Sequence, residues 1–179
     1  MTKKEVLLGV TGSIASYKAC DITNLLKKEG LGVIPVLTKE ALEFITPLTL
    51  ETLACEKAFV GMFQSPEARD PLHVSLAQRA DLILIAPATA NIIGKLAGGV
   101  CDDLLTCVVF ASDKPVLIAP AMNDKMYGHK IVQENIAKLK SIGYKFIGPV
   151  EGRLACGREG IGHLAPAEEI AAAVKRFLK

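Results

Sequence analysis

The chain has 179 residues, 50% of them hydrophobic and 22% charged, with a net charge of +2 and five cysteines. That length sustains one domain with a substantial core, while the small charge and the lack of a basic run exclude a nucleic-acid-binding role built on a basic surface. The apolar runs are about five to nine residues long, far short of the roughly 20 that a membrane helix needs.

Met1-Thr2-Lys3-Lys4-Glu5 enters a strand-like run at once, so no secretory leader is expected. Val6-Leu7-Leu8-Gly9-Val10 is short and apolar throughout, as expected of a buried parallel strand. The Gly12-Ser13 turn follows, then a helix to about Glu29, ended by Gly30. Gly32 to Leu37 reads as the second strand, and Pro35 argues against a central place for it because proline cannot donate to the ladder. One helix is expected from Lys39 and another from Pro47. A loop is expected from Gly61 to Pro71, then a short helix from Leu72 to Ala80. Asp81 to Ala86 carries the strongest strand signal. Helices from Asn91 to Ala97 and from Asp103 to Phe110 flank the break Gly98-Gly99. The remaining elements are a strand at Val116 to Ala119, a long helix from Asn123 to Ile142, a strand at Tyr144 to Ile147, a glycine-rich loop or flap from Val150 to Gly162 and a helix from Pro166 to Leu178. Such alternation predicts a three-layer α/β domain with a mainly parallel sheet.

Cysteines Cys20, Cys55, Cys101, Cys107 and Cys156 are odd in number and include no CxxC pair. Neither a disulfide framework nor a zinc site is expected, and a reducing cytoplasm fits best. Most of them are expected to be small buried hydrophobes. Cys156 stands apart, in the basic, flexible context Gly152 to Gly160.

Three turns follow strands, where open α/β sheets bind ligands. Gly9-Val10-Thr11-Gly12-Ser13-Ile14-Ala15 offers backbone N–H groups and a hydroxyl at a helix start, suited to a phosphate. It is not GxGxxG, and Thr38 rather than an acid closes the second strand, so a mononucleotide suits it better than an adenine dinucleotide. The plain alternative is a capped strand-to-helix turn. Ala86-Pro87-Ala88-Thr89-Ala90-Asn91 lets a flat ring or phosphate approach the backbone, or simply caps a helix at Thr89. Pro120-Ala121-Met122-Asn123 brings Asn123 to a helix start, as a cap, a substrate ligand or both. His73, His129 and His163 have no metal-ligand spacing, and a lone His is more often a surface or capping residue. Asp102 and Asp103, if helical, point apart, which argues against an acid–base dyad.

Together, Thr11-Gly12-Ser13-Ile14-Ala15-Ser16-Tyr17-Lys18, Pro87-Ala88-Thr89-Ala90-Asn91, Pro120-Ala121-Met122-Asn123 with Met126-Tyr127, and Ala155-Cys156-Gly157 occur in this order. The chain resembles the homo-oligomeric flavin-containing cysteine decarboxylases, from about Val6 to the terminal helix. It is most similar to the branch acting on 4′-phosphopantothenoylcysteine in coenzyme A biosynthesis. The resemblance implies a Rossmann-like or flavodoxin-like fold over a single domain, residues 1–179, with a substrate-covering flap at about 150–163. It implies FMN, a flavin site at a subunit boundary, and a homotrimer or a dodecamer of trimers in the cytoplasm. Gly12, Ser13 and Ile14 would meet the FMN phosphate, with Thr38, Ala88, Thr89 and Ala90 also lining the flavin site. His73, Asn123 and Cys156 match the catalytic positions, and Met122, Asn123 and Cys156 the substrate contacts.

The expected reaction oxidises the substrate thiol, loses carbon dioxide and re-reduces the ene-thiol to give 4′-phosphopantetheine. No metal is implied. Many bacterial members are fused to a ligase; this chain is expected to be a stand-alone version. Two positions depart from the family pattern: Cys101, where a small polar residue is common, and His163-Leu164, where Arg-Met is frequent. The competing readings are a peptidyl-cysteine decarboxylase, a flavin prenyltransferase of the same fold and a non-catalytic flavin-binding regulatory protein.

Overall fold

Apolar runs without polar alternation make strands covered on both faces, and that is their environment in the computed structural model, which describes residues 3–63, 71–153, 157 and 159–178. The strands are β1 (Glu5–Val10), β2 (Gly32–Leu37), β3 (Leu82–Ala88), β4 (Val116–Pro120), β5 (Lys145–Phe146), β6 (Val150–Arg153) and β7 (Glu159–His163). The α-helices are α1 (Ala19–Lys28), α2 (Pro47–Ala54), α3 (Leu72–Arg79), α4 (Ala90–Gly98), α5 (Leu104–Ala111), α6 (Asp124–Tyr127), α7 (Lys130–Ser141) and α8 (Ala167–Phe177). Short 3-10 helices, Ile14–Lys18 and Lys39–Glu43, follow β1 and β2.

Among the described residues, the main sheet is five-stranded and parallel in the order β2-β1-β3-β4-β5. Alternate residues feed two cores. Val6, Leu8, Leu82, Leu84 and Leu117 pack with α1, α2 and α8 on one face. Leu7, Ile83, Ile85 and Ile118 pack with α3, α4, α5 and α7 on the other. This is the three-layer, Rossmann-like and flavodoxin-like domain that the alternation and the resemblance predict. Pro35 lies on the edge strand β2, where its carbonyl accepts from Phe59 N–H at 2.9 Å. The edge therefore continues into a short parallel bridge, Val36 with Phe59.

Four local expectations are corrected. The helix expected over Asn123 to Ile142 is two helices, because Asn123 caps α6, Gly128 ends it and His129 starts α7 by accepting from Ile131 N–H at 3.3 Å. The segment from Val150 to Gly162 contains paired strands, β6 and β7, joined antiparallel. Its glycines carry no apolar period, yet the backbone supplies the ladder. Asp102 and Asp103 do not diverge on a helix: Asp103 caps α5, and Lys95 bridges the two carboxylates at 2.7 and 2.8 Å. The cysteines are not chiefly buried either. Cys55 and Cys101 are exposed and Cys20 and Cys107 half-buried, since helix ends and loops place them outside the cores. Burial raises the thiol pKa of Cys20 and Cys107, aided by Asp21 for the first and by Cys101 and nearby carboxylates for the second.

Candidate active site

The chain passes from β1 outward to β2 and then returns to β3 on the other side of β1, so the strand order reverses between β1 and β3. Their carboxyl ends diverge there and leave a crevice. Thr11, 2% exposed, ties its walls together. Its hydroxyl donates to Pro87 O at 2.7 Å and accepts from Thr89 N–H at 3.1 Å. One hydroxyl thus both donates and accepts between the first turn and the third-strand turn. Ser13 caps the adjoining 3-10 helix by accepting from Ala15 N–H at 3.3 Å, and its hydroxyl lies 3.5 Å from Ala121 O. Thr89 caps α4 by accepting from Ile92 N–H at 3.4 Å.

The crevice is a cleft of about 230 Å³ lined by Thr11, Gly12, Thr38, Thr89, Ala90 and Met126, among others. Gly12 is required by close approach, since a Cβ there would stand 2.5 Å from Glu40 Cβ. That contact brings the turns after β1 and β2 together. Thr38 is 7% exposed, and its Oγ1 is buried with no hydrogen-bond partner among the described residues. An unpaired buried hydroxyl costs about 1–3 kcal/mol, so a ligand acceptor or donor in the cleft would relieve it. Asp103 also lines the cleft. Burial alone would raise its pKa, but hydrogen bonds from Lys95 and Thr106 outweigh it and hold the carboxyl below its usual range. With Lys95 bridging Asp102 as well, this corner holds no acid–base dyad.

Beside the cleft, the turn after β4 is fixed at both ends. Ala121 N–H donates to Ala88 O at 2.9 Å, and Met122 N–H to Gly162 O at 3.0 Å. The β6–β7 hairpin therefore rests on this turn. Glycine allows the contact: a Cβ on Gly162 would stand 2.2 Å from Met122 O, and one on Gly160 3.0 Å from Asp124 Cβ. Asn123 Oδ1 accepts from Lys125 N–H at 3.0 Å. The capping bond fixes which end of the amide is oxygen and directs the Nδ2 donors elsewhere.

Of the expected flavin-site residues, Gly12, Thr38, Thr89 and Ala90 line the cleft. Ser13, Ile14 and Ala88 stand in the same turns without lining it. Met122 and Asn123 occupy the neighbouring turn. His73 lies half-buried on α3 and is not among the cleft-lining residues of its own chain. Cys156 lies outside the described residues. Thr11, Asn91 and Met126, which belong to the motifs of the resemblance but carry no expected role, also line the cleft. Thr11 had a legible signal, a hydroxyl directly after a buried strand and before a glycine.

Comparison with known proteins agrees with this fold. A family model described as Flavoprotein matches residues 1–179. "Probable phosphopantothenoylcysteine decarboxylase" of Streptococcus mutans is 45% identical over 172 residues, covering 95% of this chain and 96% of its own length. "Coenzyme A biosynthesis bifunctional protein CoaBC" of Bacillus subtilis is 45% identical over 170 residues, 95% of this chain. The chain spans only 42% of the length of that bifunctional relative. A solved PPC decarboxylase mutant complexed with pantothenoylaminoethenethiol superposes with a TM-score of 0.89 at 34% identity, covering 99% of both chains. The chain belongs to the Flavoprotein family, and its sheet and helices are those of the decarboxylase structures it matches.

Proposed function

We propose that the chain is an FMN-dependent decarboxylase converting 4′-phosphopantothenoylcysteine to 4′-phosphopantetheine. The observation that carries this reading is the seating of the hairpin on the Asn123 turn, directly beside a cleft with an unsatisfied Thr38 hydroxyl. This approach of segments that are far apart in sequence supports the reading. The ene-thiol named with the matched PPC decarboxylase is what loss of carbon dioxide would leave before reduction.

The cleft suits a flavin. Thr38 and Thr89 offer hydroxyls, Ala90 and Gly12 allow close approach, and FMN occupies the β1/β3 switch point in flavodoxin-type sheets. Gly12, Ser13 and Ile14 would hold the phosphate end, and Thr38, Ala88, Thr89 and Ala90 the remainder. Bound flavin would supply the two-electron oxidation of the substrate thiol and the return of those electrons.

The residues of the chain do the rest. Asn123 caps α6 with Oδ1 and would donate from Nδ2 to the substrate carboxylate, orienting it for departure. A neutral amide does this without a cation that would stabilise the ground state. His73 would accept the thiol proton or position the substrate. It does not line its own cleft, which supports a homotrimer in which a neighbouring copy's His73 completes the site. Cys156 would donate the proton of the reductive half, and Met122 would line the substrate.

Anaerobic incubation with phosphopantothenoylcysteine, followed by mass analysis, tests the reading. Carbon dioxide and phosphopantetheine are expected; an unchanged substrate discards it. Cys156→Ser should release carbon dioxide and accumulate the ene-thiol, whereas normal phosphopantetheine production would remove Cys156 from its role.

A further inference from the structure

We infer that a second cleft, beside Lys18 and His163, is an anion subsite that receives the phosphate end of the substrate held at Asn123. The inference rests on the decarboxylase reading above and names a part of the site that the reading leaves open.

The cleft, about 460 Å³, lies between α1, the root of the hairpin and the start of α8. Lys18 Nζ lies 2.8 Å from His163 Nε2. An ammonium has only donors, so Nε2 accepts and the imidazole is neutral, with its proton on Nδ1. Burial, and then the charge of Lys18, lower the His163 pKa, consistent with that state. Lys18 is therefore a half-buried cation whose hydrogen-bond partner carries no charge. Among the described residues, no carboxylate forms an ion pair with it. A half-buried cation with no direct ion pair is only partly compensated, and an anion entering the cleft would pair with it.

The position suits the substrate. Gly162 pairs with Met122 in the turn that carries Asn123, and the next residue along β7 is His163. The Asn123 turn and Lys18 are thus connected through β7, by the Met122–Gly162 bond at one residue and the Lys18–His163 contact at the next. Lys28 adds a second cation, while Leu25, Val150 and Leu164 give the apolar surface that a branched, gem-dimethyl arm requires. Asp21 and Glu168 line the cleft too and oppose an anion. The favourable end is thus the one at Lys18.

The test uses the flavin-loaded full chain. Turnover is measured with phosphopantothenoylcysteine and with its dephosphorylated counterpart. The wild type should prefer the phosphorylated compound in kcat/KM by about tenfold or more, the value of one charge-assisted contact. Lys18→Gln should erase that ratio, with flavin absorbance and melting temperature reporting that the variant is folded. An independent measurement needs no variant of Lys18. The His163 ring, assigned with His163→Gln, is titrated by NMR in the presence of 4′-phosphopantetheine or pantetheine. The phosphorylated ligand should raise the ring's pKa by offsetting the Lys18 charge, and pantetheine should not. Equal use of both substrates, a preference surviving in Lys18→Gln, or a ring indifferent to the phosphate overturns the subsite and leaves the decarboxylase reading standing. Consumption of neither substrate by the wild type overturns that reading, and the phosphate assignment with it.

Discussion

Thr38 Oγ1 is buried without a partner among the described residues, and its substitution separates stability from binding. Thr38→Val keeps the shape and removes an unsatisfied hydroxyl, so flavin-free stability should hold or rise by about 1 kcal/mol. Flavin affinity should fall. Denaturant unfolding of the apoprotein and a fluorescence titration with FMN read the two effects separately. Thr11 makes the opposite case, because its hydroxyl both donates and accepts across the switch point. Thr11→Val should cost about 1–3 kcal/mol, and Thr11→Ser should recover most of it. A valine variant as stable as the wild type would remove the hydroxyl from its tying role. Asn123 shows why a single residue could be read in the sequence as cap or ligand without resolution. An amide has both an acceptor end and a donor end, so one side chain suits both roles, and its oxygen accepts from Lys125 N–H.

At the scale of elements, continuous apolar runs announced β1, β3 and β4, and Pro35 announced an edge, because burial on two faces leaves a compositional mark. The β6–β7 hairpin left none. Gly152 and Gly160 pair through backbone alone, Gly162 accepts from Met122 N–H, and glycine is there for proximity to neighbouring chain segments rather than for burial. The break at Gly128-His129 was hidden because the residues on both sides suit a helix, and only the second cap, His129, divides them. The approach of Lys95 to both Asp102 and Asp103 depends on a loop path that spacing does not encode. Gly162→Ala tests the hairpin's seating. The added methyl meets Met122 O, so the turn must shift, and turnover should fall while flavin stays bound. Full activity would show that the turn tolerates displacement. In the core, Leu84 is fully buried on the central strand β3, and Leu84→Ala should cost about 2–5 kcal/mol in denaturant unfolding.

For the molecule as a whole, the titrating groups predict an asymmetric pH profile of stability. His163 has a lowered pKa when folded, so the unfolded chain binds more protons as pH falls through about 6.5 and stability declines. Asp81 and Asp103 also have lowered pKa values: burial opposes the shift, while Lys4 and the Glu5 N–H for the first, and Lys95 and Thr106 for the second, outweigh it. Their contribution is present above about pH 4 and is lost below it. Urea unfolding from pH 8 to pH 3 should show two declines, and His163→Gln should remove the first. A single decline in the wild type would contradict the Lys18–His163 contact. Among the described residues, no helix is long and apolar enough to cross a membrane, so the unusual apolar content resides in the two cores and in exposed side chains such as Ile14, Tyr17 and Phe63.

The ties at the sheet's carboxyl edge run from Thr11 to Pro87 and Thr89, from Ala121 to Ala88 and from Met122 to Gly162. Apart from one hydroxyl they are peptide-to-peptide. A turn held in this way exchanges its amide hydrogens slowly although it lies outside regular structure. Deuterium uptake should therefore find Thr89, Ala121 and Met122 as protected as strand residues. The side chains of Ala88, Ala121 and Met122 take no part in these bonds, so mutation can reshape what the turn touches while its path through space is inherited unchanged.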